Sequence, residues 1–186
     1  GAADRVRIAK EEFDTCRRLG IPMCAHWASR ENGPMGEVAQ LAEGKFLGKD
    51  LLLIHMLATN AAEMKMVASG GSPISVSPGS ELRIGYGGTK AMAFMDAGIV
   101  VSVSVDTVPL TGNANLFGIL KLLRNAENAK SLDEFKLTAR RALEMATIQG
   151  ARALGMEDKL GSLTPGKRAD VILVRTDHLT MGVFTD

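Results

Sequence analysis

Short apolar runs recur along the chain, and each follows a glycine that ends a stretch of helical character. The runs occupy residues 21–27, 49–57, 72–77 and 99–106, after Gly20, Gly48, Gly71 and Gly98. Glycine is expected just past a helix end because it adopts a left-handed backbone at little cost. The runs are rich in Ile, Leu and Val, which is typical of strands in a covered parallel sheet. The pattern therefore predicts four buried strands.

Helical patterns separate these runs, and the unit repeats at roughly 25 residues. The predicted helices cover residues 4–19, 36–47, 60–69, 89–97, 115–128 and 132–154. Ser131 and Glu134 have the spacing of a capping box and are expected to start the last helix. Alternating helices and strands predict an α/β fold with a parallel sheet. In the tail, residues 161–177 predict a turn, a basic patch and one more strand.

Composition narrows the class of protein. The 186 residues include 22 Lys and Arg against 21 Asp and Glu, a net charge of +1, whereas nucleic-acid binders usually carry a basic excess. No apolar run approaches the roughly 20 residues of a membrane span. Two cysteines are too few for a disulfide scaffold and favour a reducing compartment. We therefore expect a cytoplasmic protein with no nucleic-acid or membrane partner.

Polar residues stand at the ends of the predicted strands. His26 closes the first strand, His55 the second, Ser77 follows the third, and Asp106 closes the fourth. Ligands bind at the carboxyl ends of strands in parallel α/β folds. Two histidines and an aspartate at that edge indicate a metal or acid–base site. The alternative is that each is a buried polar residue paired with loop backbone.

Other residues have weaker claims to a role. Trp27, beside His26, is a candidate for a pocket wall, with simple packing as the alternative. Arg30 and Glu31 follow the first strand and are candidates for a substrate contact, with a solvated loop as the alternative. Residues 85–90, GYGGTK, have the wrong order for a phosphate-binding loop and predict a flexible loop into a helix. His178 is interpreted as a surface residue.

Three segments carry a resemblance to a known family. They are LLLIHML at 51–57, MDAGIVVSVSVDTVPLTGNANLF at 95–117, and ALEMATIQGARALGMEDKLGSLTPGKRADVILV at 142–174. The chain resembles the amidohydrolase superfamily, and most of all its deaminase and triazine chlorohydrolase branch. The resemblance implies the second half, strands five to eight, of a (β/α) barrel of the TIM type over residues 1–155. Residues 156–186 would then return into a small, incomplete β-sandwich.

The resemblance also implies a chemistry. His26 would bind a divalent metal together with Asp106, which would also accept a proton from the attacking water. His55 would polarise the leaving group or orient that water. Zinc is the expected metal, with iron as the alternative, and the substrate would be a heterocycle that loses a C–N or C–Cl bond. The candidate substrate-binding residues are Trp27, Ser29, Arg30 and Asn113.

The chain departs from the family pattern at three places. The chain has only three His, so the His-x-His pair of the family's first strand is absent. Ser29 stands where deaminases carry a Glu that protonates a ring nitrogen, and Ser75-Val76-Ser77-Pro78 replaces the frequent Ser-His-x-Pro. A full (β/α)₈ barrel needs about 250 residues. We therefore expect this chain to be inactive alone, and to form a homo-oligomer or to pair with an N-terminal half. The alternative is a non-catalytic α/β fragment or assembly module.

Overall fold

The computed structural model describes residues 2–177 and contains one parallel sheet. Its strands are β1 (Met23–Trp27), β2 (Leu51–His55), β3 (Ile74–Val76) and β4 (Val101–Val103), paired in chain order. All three pairings are parallel, and in the first of them Trp27 lies opposite His55. The prediction of an α/β fold with a parallel sheet is confirmed, and each strand lies inside one of the apolar runs.

Nine helices accompany the sheet within residues 2–177. They are α1 (Ala2–Leu19), α2 (Glu37–Glu43), α3 (Ala61–Gly70), α4 (Pro78–Arg83), α5 (Ala91–Asp96), α6 (Val108–Thr111), α7 (Leu116–Ser131), α8 (Ala139–Met145) and α9 (Ile148–Ala153). The short helices α4 and α6 lie in loops that follow strands and were not predicted. In this part of the chain no helix has both the length and the apolar character that a bilayer crossing requires.

The two faces of the sheet differ in their cover. Successive side chains of a strand point to opposite faces, and Leu51 and Leu53 are fully buried in the core that the helices form with one face. Leu52 is only half-buried on the other face, where Cys24 and His26 are exposed. We call this second side, which carries Cys24, His26, Leu52 and Ile54, the open face. A cleft of about 630 Å³ separates part of the sheet from α8 and α9.

The region 132–154 differs from its prediction as one capped helix. Ser131 ends α7 instead of starting a helix, and Leu132 follows in a left-handed conformation with φ 55°. The side chain of Thr138 accepts the backbone N–H of Arg141 and so caps α8. The capping-box prediction is wrong because Asn128 holds the intervening turn, with its amide bonded to the carbonyl of Glu134.

The predicted strand near the C-terminus is not formed by residues 171–175. Val171, Ile172 and Leu173 are 55%, 75% and 98% exposed. A strand needs a neighbour for its backbone hydrogen bonds, and none of the described strands pairs with this segment. The sandwich region 156–186 and the boundary after residue 155 therefore stay predictions.

A single arginine joins the first helix to the segment before β2. The Arg17 guanidinium donates to Asp50 at 2.7 Å, to the carbonyl of Lys45 at 2.8 Å and to that of Phe46 at 2.7 Å. The hydrogen bond from Arg17 lowers the pKa of Asp50 below its ordinary value of 3.8. This contact fixes α1 against the loop that leads into the sheet.

We predict that replacing Arg17 with Ala lowers the free energy of unfolding by about 1 kcal/mol, the range of a partly exposed charged hydrogen bond. Because the folded-state pKa of Asp50 is lowered, its contribution is complete above pH 3.8 and is lost as the pH falls through the lowered pKa. Urea unfolding at pH 7 and pH 3 measures both effects. Arg7→Ala, which breaks the exposed helical pair with Glu11, is the control and should cost less than about 0.5 kcal/mol. Equal losses for both variants would contradict the prediction.

Candidate active site

The polar strand-end residues gather at one edge of the sheet. Because the strands are parallel, the carboxyl ends that carry His26, His55, Ser77 and Asp106 face the same side. His26 and His55 lie on adjacent strands, with ring centroids 5.1 Å apart. His26 is exposed, whereas His55 is 3% exposed. The structure thus brings the two predicted histidines together and gives them different surroundings.

The backbone is strained where these strands end. His55 has φ 73°, Met56 has φ 62°, and Asp106 has φ 58°. Ala28, two residues after His26, has φ 44°. Residues other than glycine rarely adopt this left-handed backbone conformation, and each one costs on the order of 1–3 kcal/mol of folding free energy. Such strain clusters at functional sites, and here it falls at or beside all three predicted metal or catalytic residues.

Glu81 of α4 is hydrogen-bonded to the imidazole of His55. The Nδ1 of His55 lies 2.9 Å from Oε1 of Glu81, and the backbone N–H of Ser77 donates to the same oxygen at 2.8 Å. Glu81 is 0% exposed, and its second oxygen, Oε2, has no partner among the described residues. A fully buried carboxylate thus belongs to the site, and no sequence prediction named it.

Ser80, the neighbour of Glu81 on α4, contacts Asp106. Its hydroxyl lies against Oδ2 of Asp106 and 3.1 Å from the carbonyl of Ser77. The backbone N–H of Asp106 donates to the hydroxyl of Ser104 at 2.9 Å. One short helix therefore reaches both acid–base candidates, because Glu81 contacts His55 and Ser80 contacts Asp106.

Three predicted substrate-binding residues line a shallow cavity beside His26. The cavity has a volume of about 450 Å³ and is lined by His26, Trp27, Ser29 and Arg30 together with residues of the loop before α2. Trp27 donates its indole N–H to the carbonyl of Glu37 at 3.0 Å, which fixes the ring against the start of α2. Trp27, Ser29 and Arg30 therefore share one cavity with His26, and their role in substrate binding stays a prediction.

Tyr86 is a further aromatic residue of this site that sequence reasoning missed. Its ring meets the ring of His55 edge-on at 5.5 Å, and the guanidinium of Arg30 lies 5.2 Å from its centroid. Glu31 ties the loop down, because its backbone N–H donates to the carbonyl of Tyr86 at 2.7 Å and its carboxylate accepts from Gly88. The loop predicted from the glycines at 85–88 is therefore anchored beside the site.

Lys90 closes the same loop. Its ammonium donates to the carbonyl of Thr59 at 3.0 Å, which links the loop after α4 to the segment after β2. Burial lowers the pKa of Lys90 from 10.5, and the charge of Glu31 partly opposes that shift. The two segments that flank Tyr86 and His55 are thus fixed to each other.

Asn113 does not line the cavity beside His26. It is exposed in the turn before α7, where its side chain accepts the backbone N–H of Asn115 at 2.8 Å. Its carbonyl accepts from the hydroxyl of Thr111. Local turn geometry accounts for these contacts, as the turn signal Gly112-Asn113 indicates. His178 lies outside the described residues.

The donor types suit zinc, but their number does not. His26, His55 and Asp106 offer the imidazole and carboxylate groups that zinc takes, and a zinc site uses three or four protein ligands. Nowhere among residues 2–177 do three or more His, Cys, Asp or Glu side chains come together closely enough to hold a metal ion. Glu81 already occupies the Nδ1 of His55. The described part of the chain therefore does not by itself fit a zinc ion.

Known proteins with similar sequences and folds are hydrolases of small heterocycles. The chain is 32% identical over 128 residues to a 5-methylthioadenosine/S-adenosylhomocysteine deaminase from Teredinibacter turnerae, covering 69% of this chain and 29% of that protein. An adenosine deaminase structure from Xanthomonas campestris with bound zinc has a TM-score of 0.86 at 24% identity, covering 93% of this chain and 41% of that one. An atrazine chlorohydrolase from Arthrobacter aurescens in complex with zinc has a TM-score of 0.84 at 25% identity, with coverages of 94% and 40%.

These matches bear on fold, length and family. The solved neighbours confirm the partial barrel of the TIM type as the fold. The chain spans less than half of the length of these relatives. The profile of the amidohydrolase family matches residues 13–185, which is most of the sequence. The chain therefore belongs to the amidohydrolase family.

Proposed function

We propose that this chain provides part of the active site of a metal-dependent hydrolase, which cleaves a C–N or C–Cl bond of a heterocyclic substrate with water. The observation that carries the proposal is the placement of His26, His55 and Asp106 at one edge of a parallel sheet in an amidohydrolase chain. The cofactor of the complete site would be a divalent metal, zinc or else iron. Support for zinc comes from the similar structures that contain it.

The chain's own residues account for the proton movements. Asp106 accepts a proton as water attacks the ring carbon, so that a C–O bond forms while an O–H bond breaks. The C–N or C–Cl bond then breaks, and the proton passes to a leaving amine, whereas chloride departs as the anion. His55 sits beside this edge with one ring nitrogen bound to Glu81, which leaves Nε2 to orient the water or the leaving group.

The bond cleaved depends on how the ring nitrogen is protonated. Ser29 lacks the carboxyl group that deaminases use at this position. Two nearby carboxylates, Glu31 in the loop and Glu37 at the start of α2, are already engaged. Glu31 accepts from the backbone N–H of Gly88, and Glu37 accepts from that of Ala28. A leaving group that departs without ring protonation, such as chloride, is consistent with this loop. A deaminase reaction would need a proton donor from outside it.

The open face indicates a partner that completes the site. Cys24 and His26 are exposed on it, and β1 and β4 are edge strands with unpaired backbone groups. Open edges and bare apolar surface favour pairing with another chain segment. We propose an N-terminal half of the same protein as that partner, with a second copy as the alternative. The partner would also bring the metal ligands that residues 2–177 do not assemble.

A second candidate function is a non-catalytic α/β assembly module. The absence of a three-residue metal cluster among the described residues favours it. Under this hypothesis, the strand-end histidines would be remnants, and binding through the open face would be the function. The two candidates differ in whether a longer form of the protein, with its own upstream histidine pair, turns over a substrate.

Turnover is expected only when the upstream coding sequence extends the chain and supplies a His-x-His pair. A panel of adenosine analogues, nucleobases, guanidines and chlorotriazines should then reveal one hydrolysed substrate. In the extended protein, Asp106→Asn should lower kcat/KM by between about 10² and 10⁴, because a proton acceptor is lost. Asp96→Asn is the matched control, since Asp96 only pairs with Lys136 on the surface. An active Asp106→Asn enzyme, or no turnover of any panel member, would contradict the proposal.

The 186-residue chain and the extended protein are expected to differ in metal content as they do in activity. The 186-residue chain, dialysed against a chelator and then loaded with zinc, should retain well under one ion per chain, because too few ligands converge. Plasma mass spectrometry on desalted protein measures the number of zinc ions per chain. Because that number is already low in the wild-type chain, His26→Ala should change it little. One tightly held zinc per chain, lost in His26→Ala, would show that the site is complete without a partner.

Self-association tests the open face. At micromolar concentration we expect the chain to sediment as a dimer or larger species. Replacing the half-buried Leu52 with Lys should shift the population towards monomer, because it places a charge on the face that associates. Leu122→Lys, on the exposed side of α7, is the control. A wild-type chain that sediments only as a monomer argues against the partner surface.

A further inference from the structure

Glu81 is a buried acid without an assigned part in the proposed chemistry. Burying a carboxylate is costly unless hydrogen bonds replace its water, and Glu81 is 0% exposed. Both of its contacts fall on one oxygen, Oε1, which meets the Ser77 N–H and the Nδ1 of His55. Folding alone does not require an acid here, since an apolar side chain would avoid that cost. The arrangement therefore calls for an explanation in terms of His55.

We infer that Glu81 is a positioning residue that holds His55 in the tautomer with hydrogen on Nδ1 and presents an unprotonated Nε2 to the strand-end site. The role of Nε2 in the reaction rests on the proposed function, whereas the tautomer rests on the geometry alone. Backbone N–H groups can only donate, so the Ser77 N–H marks Oε1 as an acceptor. A hydrogen on Oε2 would have no acceptor among the described residues. The bond between Oε1 and the imidazole is therefore donated by Nδ1.

Two further contacts keep the imidazole of His55 from turning. Tyr86 packs edge-on against the ring at 5.5 Å, and the ring of His26 lies 5.1 Å away. The backbone of His55 itself is fixed at φ 73°. Rotation of the ring would break the bond to Glu81 and leave the backbone N–H of Ser77 as the one donor to this buried carboxylate among the described residues, which is unfavourable. Nδ1 is thus committed to Glu81, and only Nε2 is available to substrate, water or metal.

This tautomer decides between the two roles implied for His55. A neutral imidazole with hydrogen on Nδ1 has no hydrogen on Nε2, so it cannot donate to a leaving group or carbonyl at the start of the reaction. It can accept a hydrogen bond from the attacking water and orient it. The proton that Asp106 takes from the water can then pass to Nε2, and from Nε2 to a leaving amine. Glu81 thereby makes His55 an acceptor first and a donor second.

Nitrogen NMR of the imidazole tests the inference on the chain itself and needs no activity. With ¹⁵N-labelled histidine at a pH where the ring is neutral, Nδ1 of His55 should resonate as a protonated nitrogen and Nε2 as an unprotonated one. His55→Asn identifies the signals among the three histidines. Hydrogen on Nε2 of the neutral ring in the wild-type chain would overturn the inference.

Variants of Glu81 separate positioning from folding. Glu81→Gln keeps an oxygen at Oε1 for the Ser77 N–H and should preserve the tautomer, whereas Glu81→Leu removes the acceptor and should shift His55 towards a mixture of both tautomers. Glu127→Gln is the control, because Glu127 is also buried but accepts from Thr89 and Met92. An unchanged tautomer in Glu81→Leu would overturn the inference. If the Leu variant does not fold, the wild-type spectrum still decides.

Activity of the extended protein supplies the second readout. Glu81→Leu should lower kcat/KM by about 10- to 100-fold, the usual loss for a residue that orients a functional histidine, and Glu81→Gln should restore part of it. A Leu variant with unaltered kcat/KM would contradict a positioning role. If the extended protein hydrolyses no substrate while His55 shows the expected tautomer, the proposed function fails and the placement of His55 by Glu81 stands.

Discussion

Parallel pairing of four strands in chain order is the constraint on which the rest of this molecule depends. It places every strand's carboxyl end at one edge, so residues far apart in sequence, such as His26 and Asp106, share one neighbourhood. The loops that leave this edge then determine the chemistry. Helix α4 begins directly after β3 and sends Ser80 towards Asp106 and Glu81 towards His55. A helix of six residues thus contacts both of the proposed acid–base groups.

The two faces of the sheet show where the core lies and where the barrel is incomplete. Leu51 and Leu53 are fully buried by the helices, so the sheet has a core on one side. On the open face, Leu52 stays half-buried and Cys24 is exposed. A barrel closes by covering that face and by pairing both edges. The same closure would bring ligands towards His26, so structural completion and metal binding are expected to occur together.

Local patterns in the sequence predict much of the fold and part of the site, whereas features that depend on tertiary contacts were not predicted. Apolar runs after glycines locate all four strands, and polar residues at strand ends locate His26, His55 and Asp106. Glu81 escaped prediction because a glutamate in a short polar helix is normally exposed, and only the tertiary position of His55 makes its burial tolerable. The break at Leu132 escaped because leucine seldom adopts a left-handed backbone. The prediction of a strand near the C-terminus was wrong because a strand needs a neighbouring strand as well as suitable residues of its own.

The departures from the family pattern and the buried Glu81 are best understood together. Ser29 removes a carboxyl group from the rim of the cavity, where it would face a substrate ring. Glu81 instead places a carboxylate behind His55, where it has no access to substrate and acts only through the imidazole. An acid at the rim can donate a proton to a ring, whereas an acid behind a histidine strengthens that histidine as an acceptor. In the proposed reaction, the acid–base groups would therefore act mainly on the water, with Asp106 and His55 both placed to accept a proton. Such a site would best serve a reaction in which activation of water is limiting and the leaving group departs without protonation.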